Sequence, residues 1–188
     1  MAVTVTNLIQ GAADLYHGLY GDVTEPADSA VNTTPAASAG WTDCGGTNDG
    51  VTLQLGQEFS ELEVDQIVDI VDTRRTKRDI QIKANLAEGT LTNLKLAMNG
   101  GTSASGTGYN TYTPDDGLTN TDLDYSAVIM DGLAPESNRR RVIIRKTLNV
   151  ENVETSYKKD GQALFPVAFR AHYIDTTTRP YHVVDADA

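Results

Sequence analysis

Between Thr76 and Ala87 polar and apolar residues alternate: Lys77, Asp79, Gln81, Lys83 and Asn85 stand between Ile80, Ile82, Ala84 and Leu86. A period of two predicts a strand with one buried face. Past Gly89 the period lengthens, and Leu91, Leu94 and Met98 fall at i, i+3 and i+7. That spacing lines one face of a short helix. Thr90 is placed to cap its N-terminus, and Asn99-Gly100-Gly101 to stop it.

The rest of the chain reads mostly as strands. Residues 2–20 hold short apolar runs and predict a short strand or arm, with a turn at Gly18 or Gly21. Residues 21–40 are rich in Asp, Thr, Pro, Ala and Ser without a period, and predict an irregular or mobile loop. Asn48-Asp49-Gly50 is a tight-turn signal, after which Val51, Leu53 and Leu55 alternate. Glu58 to Val71 is a second extended stretch, with a phase change near Ile67-Val68. Placing the tip at Asp72 to Arg75 makes Glu58–Leu86 one long hairpin, too long for a small domain to support throughout. Residues 100–121 read as a long flexible loop, and Leu123 to Met130 as a strand. Val142 to Val150, Val153 to Tyr157, Phe165 to Tyr173 and Tyr181 to Val184 follow as strands, with a turn at Asp160-Gly161. Pro166 predicts an edge or a bulge. The expected fold is mainly β: a sandwich or barrel of about seven to nine strands, one flanking helix and a projecting hairpin, in a single domain over 1–188.

Charge sharpens this picture. The net charge is -11, and the first 73 residues carry twelve acids and no lysine or arginine. Two basic clusters follow, Arg74, Arg75, Lys77, Arg78 and Arg139, Arg140, Arg141, Arg145, Lys146. Separate acidic and basic surfaces suit head-to-tail contacts between copies, although solvated strand ends would show the same charges. The acidic total and few aromatics argue against a dedicated nucleic-acid binder. One cysteine, Cys44, permits no internal disulfide. No stretch resembles a signal peptide or reaches the length of a membrane span, so synthesis in a cytoplasm is expected.

No catalytic, metal or cofactor constellation is legible. His17, His172 and His182 share no ligand spacing with each other or with Cys44. Gly106-Thr107-Gly108 lacks the third glycine of a phosphate loop. Asn120, Asp122 and Asp124 copy the opening of a calcium loop, but Tyr125 stands where the turn requires glycine. Glu61, Glu63 and Asp65 fall at alternate positions and predict one acidic strand face, solvated or lining a lumen.

Three blocks in order carry a resemblance. Trp41-Thr42-Asp43 with Thr47-Asn48-Asp49-Gly50-Val51, then Leu86-Ala87-Glu88 with Thr90-Leu91 and Asn93-Leu94-Lys95-Leu96-Ala97, then Phe165-Pro166-Val167-Ala168-Phe169-Arg170-Ala171 resemble bacteriophage major tail proteins, the tail tube family. The blocks lie within residues 41–99 and 139–185, and Cys44-Gly45-Gly46 adds one small residue to the pattern. The resemblance implies a β-sandwich or barrel with a flanking helix, and hexameric rings stacked into a hollow tube in the tail of the virion. DNA passes through that lumen without specific binding. Tape measure, terminator and distal tail proteins are the implied partners, assembly takes place in the host bacterial cytoplasm, and no membrane insertion is implied. The family has no catalytic residues and needs no cofactor. An acidic lumen wall would not trap a passing polyanion, which makes Glu61, Glu63 and Asp65 candidate lumen residues. Arg74, Arg75, Lys77 and Arg78 are the candidate contacts between subunits. The alternatives are a tube protein of a contractile injection or type VI secretion system, which shares the fold, and a small ligand-binding β-sandwich.

Overall fold

The computed structural model describes residues 3–115 and 123–187. It is mainly β, 50% strand and 11% helical, so the expected class holds. Ten strands form: β1 (Asp14–Leu19), β2 (Thr42–Asp43), β3 (Thr47–Val64), β4 (Ile67–Leu86), β5 (Thr102–Gly106), β6 (Tyr109–Thr113), β7 (Ser126–Leu133), β8 (Arg139–Asn149), β9 (Phe165–Ala171) and β10 (Tyr181–Asp185). One helix, α1, spans Leu91–Ala97. Eight strands make one antiparallel sheet in the order β2-β1-β7-β8-β9-β4-β3, with β10 also on β8. One edge of β8 is shared: β10 pairs with Arg140–Ile144 and β9 with Thr147–Asn149.

The two ends of this order, β2 and β3, are neighbours in the chain. Only Cys44-Gly45-Gly46 separates them, a span of at most about 14 Å. The sheet must therefore curl until its ends meet, which gives the barrel-like shape. The corner depends on Gly45, whose φ of 76° is left-handed. Its N–H donates to Asp43 Oδ1, and a β-carbon there would run into the Glu88 carboxylate. The extra small residue noted in the sequence is thus part of the turn that closes the sheet.

The interior is built as the alternation predicts. Ile80, Ile82, Ala84 and Leu86 of β4 are buried against Leu15, Val128, Ile144, Val167 and Phe169. Leu96 and Ala97 bring α1 onto the same cluster. Thr90 caps the helix by accepting from the Asn93 N–H at 3.1 Å, as the sequence predicts. Asn93 is buried, and its Nδ2 donates to the carbonyls of Cys44 and Glu88. Helix and corner are tied together by this one side chain. A second apolar cluster, Tyr16, Trp41, Ala127, Ile129 and Ile143, lies on the other face of β1, β7 and β8.

Several expectations are corrected. The hairpin is longer than predicted and turns elsewhere: β3 and β4 run from Thr47 to Leu86 and reverse at Asp65-Gln66, not at Asp72 to Arg75. The phase change at Ile67-Val68 is the start of the returning strand. Asp65 is a turn-forming residue, but it stands among Glu61, Glu63, Asp69 and Asp72, so the sequence does not single it out. Asn48-Asp49-Gly50 makes no hairpin turn. Asp49 and Gly50 take φ of 61° and 76° and bulge out of β3, where the register with β4 slips between Asn48 and Val51.

Residues 102–113 are the β5–β6 hairpin rather than a loop, and Gly106-Thr107-Gly108 is its turn. Residues 21–40 are irregular but packed on their own sheet: Val31 is buried, and Thr24 accepts from Trp41 Nε1 at 2.8 Å. Val153 to Tyr157 forms no ladder among the described residues; one isolated bridge joins Lys158 and Gly161. Among the described residues the main sheet has eight strands, within the expected seven to nine, and β5 and β6 add a small second sheet whose short, polar strands show no period in the sequence. Pro166 behaves as predicted, at a part of β9 paired with β4 but not with β8.

Candidate assembly surface

β9 pairs with β4 only from Gln81 to Leu86. Beyond that point β3 and β4 continue alone as a two-stranded ribbon. From Gln57 to Arg78 every residue is exposed. The ribbon carries apolar residues with nothing among the described residues to bury them. Leu55, Phe59, Leu62, Ile67 and Ile70 are each more than half exposed, and Val68 is fully so. A two-stranded hairpin is marginal alone in water, and a large exposed apolar surface marks a contact site.

Cross-strand pairs share a face. Gln57 pairs with Arg78 and Phe59 with Arg75, whereas Glu58 pairs with Lys77 and Ser60 with Arg74. The four candidate contact residues therefore straddle both faces of the ribbon at its middle, not at its tip. A bulge at Thr76, between the Glu58–Lys77 and Phe59–Arg75 pairs, twists it there. Lys77 Nζ lies 2.7 Å from Glu58 Oε1, with both side chains more than half exposed. That hydrogen bond and the charge of Glu58 raise the Lys77 pKa, yet an exposed pair adds little to stability. Arg75 donates to Gln57 Oε1 at 3.4 Å. Arg74 and Arg78 have no ion-pair partner among the described residues.

Glu61 and Glu63 project from one face of β3 near its end, and Asp65 sits in the turn. The tip is acidic: Glu61, Glu63, Asp65, Asp69 and Asp72 lie between Ser60 and Thr73 with no base among them. Asp69 joins this end because the chain reverses before it, at Asp65-Gln66, and Asp72 lies on the returning strand instead of in the turn. The ribbon thus has a basic middle and an acidic end.

The second basic cluster is neutralised inside the subunit. Arg141 is 1% exposed and forks onto Asp131, with Nε to Oδ1 at 2.7 Å and an Nη to Oδ2 at 2.6 Å. Its remaining donors reach the carbonyls of Ala30 and Thr33 at 3.2 and 2.7 Å, which pins the 28–33 turn to the sheet. Arg139 also reaches Asp131 at 3.1 Å, Arg140 forks onto Asp185, and Arg145 forks onto Glu25. Lys146 Nζ lies 4.2 Å from the centre of the Tyr125 ring. This cluster stabilises the fold and offers no comparable free charge.

No chemistry converges elsewhere. Among the described residues no three His, Cys, Asp or Glu side chains gather as a metal site requires. Asn120 and Asp122 of the calcium-like triplet lie outside the described residues, and Asp124 meets Lys95 at 3.6 Å. A cleft of about 240 Å³ is lined by His17, Thr42, Thr92, Lys95, Asn99 and Asp124. Burial lowers the His17 pKa to about 4, so its imidazole is neutral near pH 7. His182 lies 3.0 Å from Asp28. No helix among the described residues is long and apolar enough to cross a membrane.

Residues 6–188 match the family model described as phage tail tube protein. The chain belongs to the phage tail tube protein family. No curated protein matches its sequence. A tail tube protein is a structural component of the virion tail, and it assembles with other tail proteins into a multimeric tube.

Proposed function

We propose that this chain is the repeating subunit of the tail tube, stacked as hexameric rings into a conduit that delivers DNA into the host bacterium. The observation that carries this reading is the exposed β3–β4 ribbon, with apolar residues on an element that nothing in the subunit covers. Contact with other copies buries it. Arg74, Arg75, Lys77 and Arg78 take part in those contacts from the middle of the ribbon. Glu61, Glu63 and Asp65 supply negative charge toward the lumen, which keeps DNA from adhering. Assembly occurs in the host cytoplasm, with the tape measure protein inside the growing tube and terminator and distal tail proteins at its ends.

Negative-stain microscopy and light scattering of concentrated protein should show rings or tubes without added metal or cofactor. The pair Arg74→Glu with Arg75→Glu should leave the monomer folded and slow tube growth, most strongly at low salt where repulsion is least screened. A wild-type protein that stays monomeric at high concentration across a range of salt would overturn the reading.

A further inference from the structure

One sequence feature remains unexplained by the isolated subunit. Val153, Thr155 and Tyr157 alternate with Glu154 and Ser156 as a strand does, yet this stretch joins no ladder. Its inner residues rest on the body: Val153 packs against the core, and Thr155 Oγ1 donates to the Leu164 carbonyl at 3.3 Å. Its outer end stands clear, with Tyr157 87% exposed beside exposed Lys158 and Lys159. Of the chain's bases outside the ribbon, only Lys83, Lys158, Lys159 and Arg179 lack a side-chain ion pair or ring contact among the described residues, and only the two lysines are adjacent.

The ribbon offers the complement. Ile67 to Asp72 opens β4 with the sequence Ile-Val-Asp-Ile-Val-Asp, all of it exposed. Within it only Ile67 and Asp72 keep a register partner on β3, and β9 lies far along the strand at Gln81. The register slips between Leu62 and Val64, so residues 68–71 bulge out of the ladder and lack β3 partners, in a stretch that is β-branched and acidic. A strand pattern without a partner and an edge without a strand match in backbone chemistry. They also match in charge, two lysines against Asp69 and Asp72, and in apolar content, Tyr157 against Val68, Ile70 and Val71.

We propose that residues 153–157 of one copy receive the 67–72 edge of a second copy by β-strand addition, with Lys158 and Lys159 presented by the turn that follows. The inference rests on the tube reading above and names the receiving surface. Main-chain hydrogen bonds supply the attraction, and the lysine–aspartate pairs select the register. The contact joins two different patches, so it propagates from copy to copy instead of closing a dimer.

A charge exchange tests it, with urea unfolding of each variant as the folding control. Lys158→Asp with Lys159→Asp should slow tube elongation at least about tenfold, and so should Asp69→Lys with Asp72→Lys. All four changes in one chain should restore elongation to within about threefold of wild type. If the lysine pair can be reversed without effect, or if the combined variant stays blocked, this receiving surface is wrong. The tube reading survives that result as long as the wild-type protein forms tubes. If the wild type forms none, both fail together.

Discussion

Replacing Asp131 with alanine tests the link between the sheet and the 21–40 segment. The Asp131 side chain is fully buried and that of Arg141 is 2% exposed, so neither charge has water to fall back on. Without the carboxylate, Arg141 keeps only the Ala30 and Thr33 carbonyls, and Arg139 loses its partner at 3.1 Å. Breaking one side of a buried pair costs about 3–5 kcal/mol. In a chain of 188 residues each kcal/mol moves the melting midpoint by about 2–4 °C, so a fall of about 6–20 °C is expected. Asp131→Leu with Arg141→Met should recover most of that loss, because an apolar pair avoids the desolvation of both charges. It should not recover all of it, since the part-buried carbonyls of Ala30 and Thr33 then lose their donors, at about 0.5–1.5 kcal/mol for each hydrogen bond. Urea unfolding of unassembled protein, with the slope unchanged, reads both numbers. Hydrogen exchange at Ala30 to Thr33 should quicken in the single variant. A loss below about 1 kcal/mol for Asp131→Ala would refute the argument that this pair holds the segment.

Two further outcomes follow from buried groups. His17, with its pKa lowered by burial from 6.5 to about 4, binds a proton more readily unfolded than folded. Its contribution is complete above pH 6.5 and is lost as the pH falls toward 4, a drop of about 3 kcal/mol that His17→Gln should largely abolish in pH-dependent urea unfolding. Cys44 is 1% exposed, and burial pushes its thiol up to about 12. A thiol reagent at pH 8 should label it only as fast as the protein unfolds, and stoichiometric labelling of the native protein within minutes would show that the corner is open.

Local chemistry alone determined the β4 root, α1 and its cap, and the strands β8, β9 and β10. Ile80 to Leu86 alternate because the period of a strand is two, and Thr90 caps because a hydroxyl there meets the Asn93 N–H. The long β3–β4 hairpin was also visible in residue order. Tertiary structure decided what order cannot hold. At the Asp65-Gln66 turn, Asp65 is one acid among several, so only the pairing of Val64 with Ile67 locates the reversal. Arg140, Arg141 and Arg145 read as a basic surface because their partners Asp185, Asp131 and Glu25 lie 45, 10 and 120 residues away. Residues 21–40 read as a loose loop for the same reason, since Arg141 and the Trp41 cluster that hold them belong to other parts of the chain. In Val153 to Tyr157 the pattern of a strand is complete, but a strand is stable only when another edge pairs with it, and the described residues supply none.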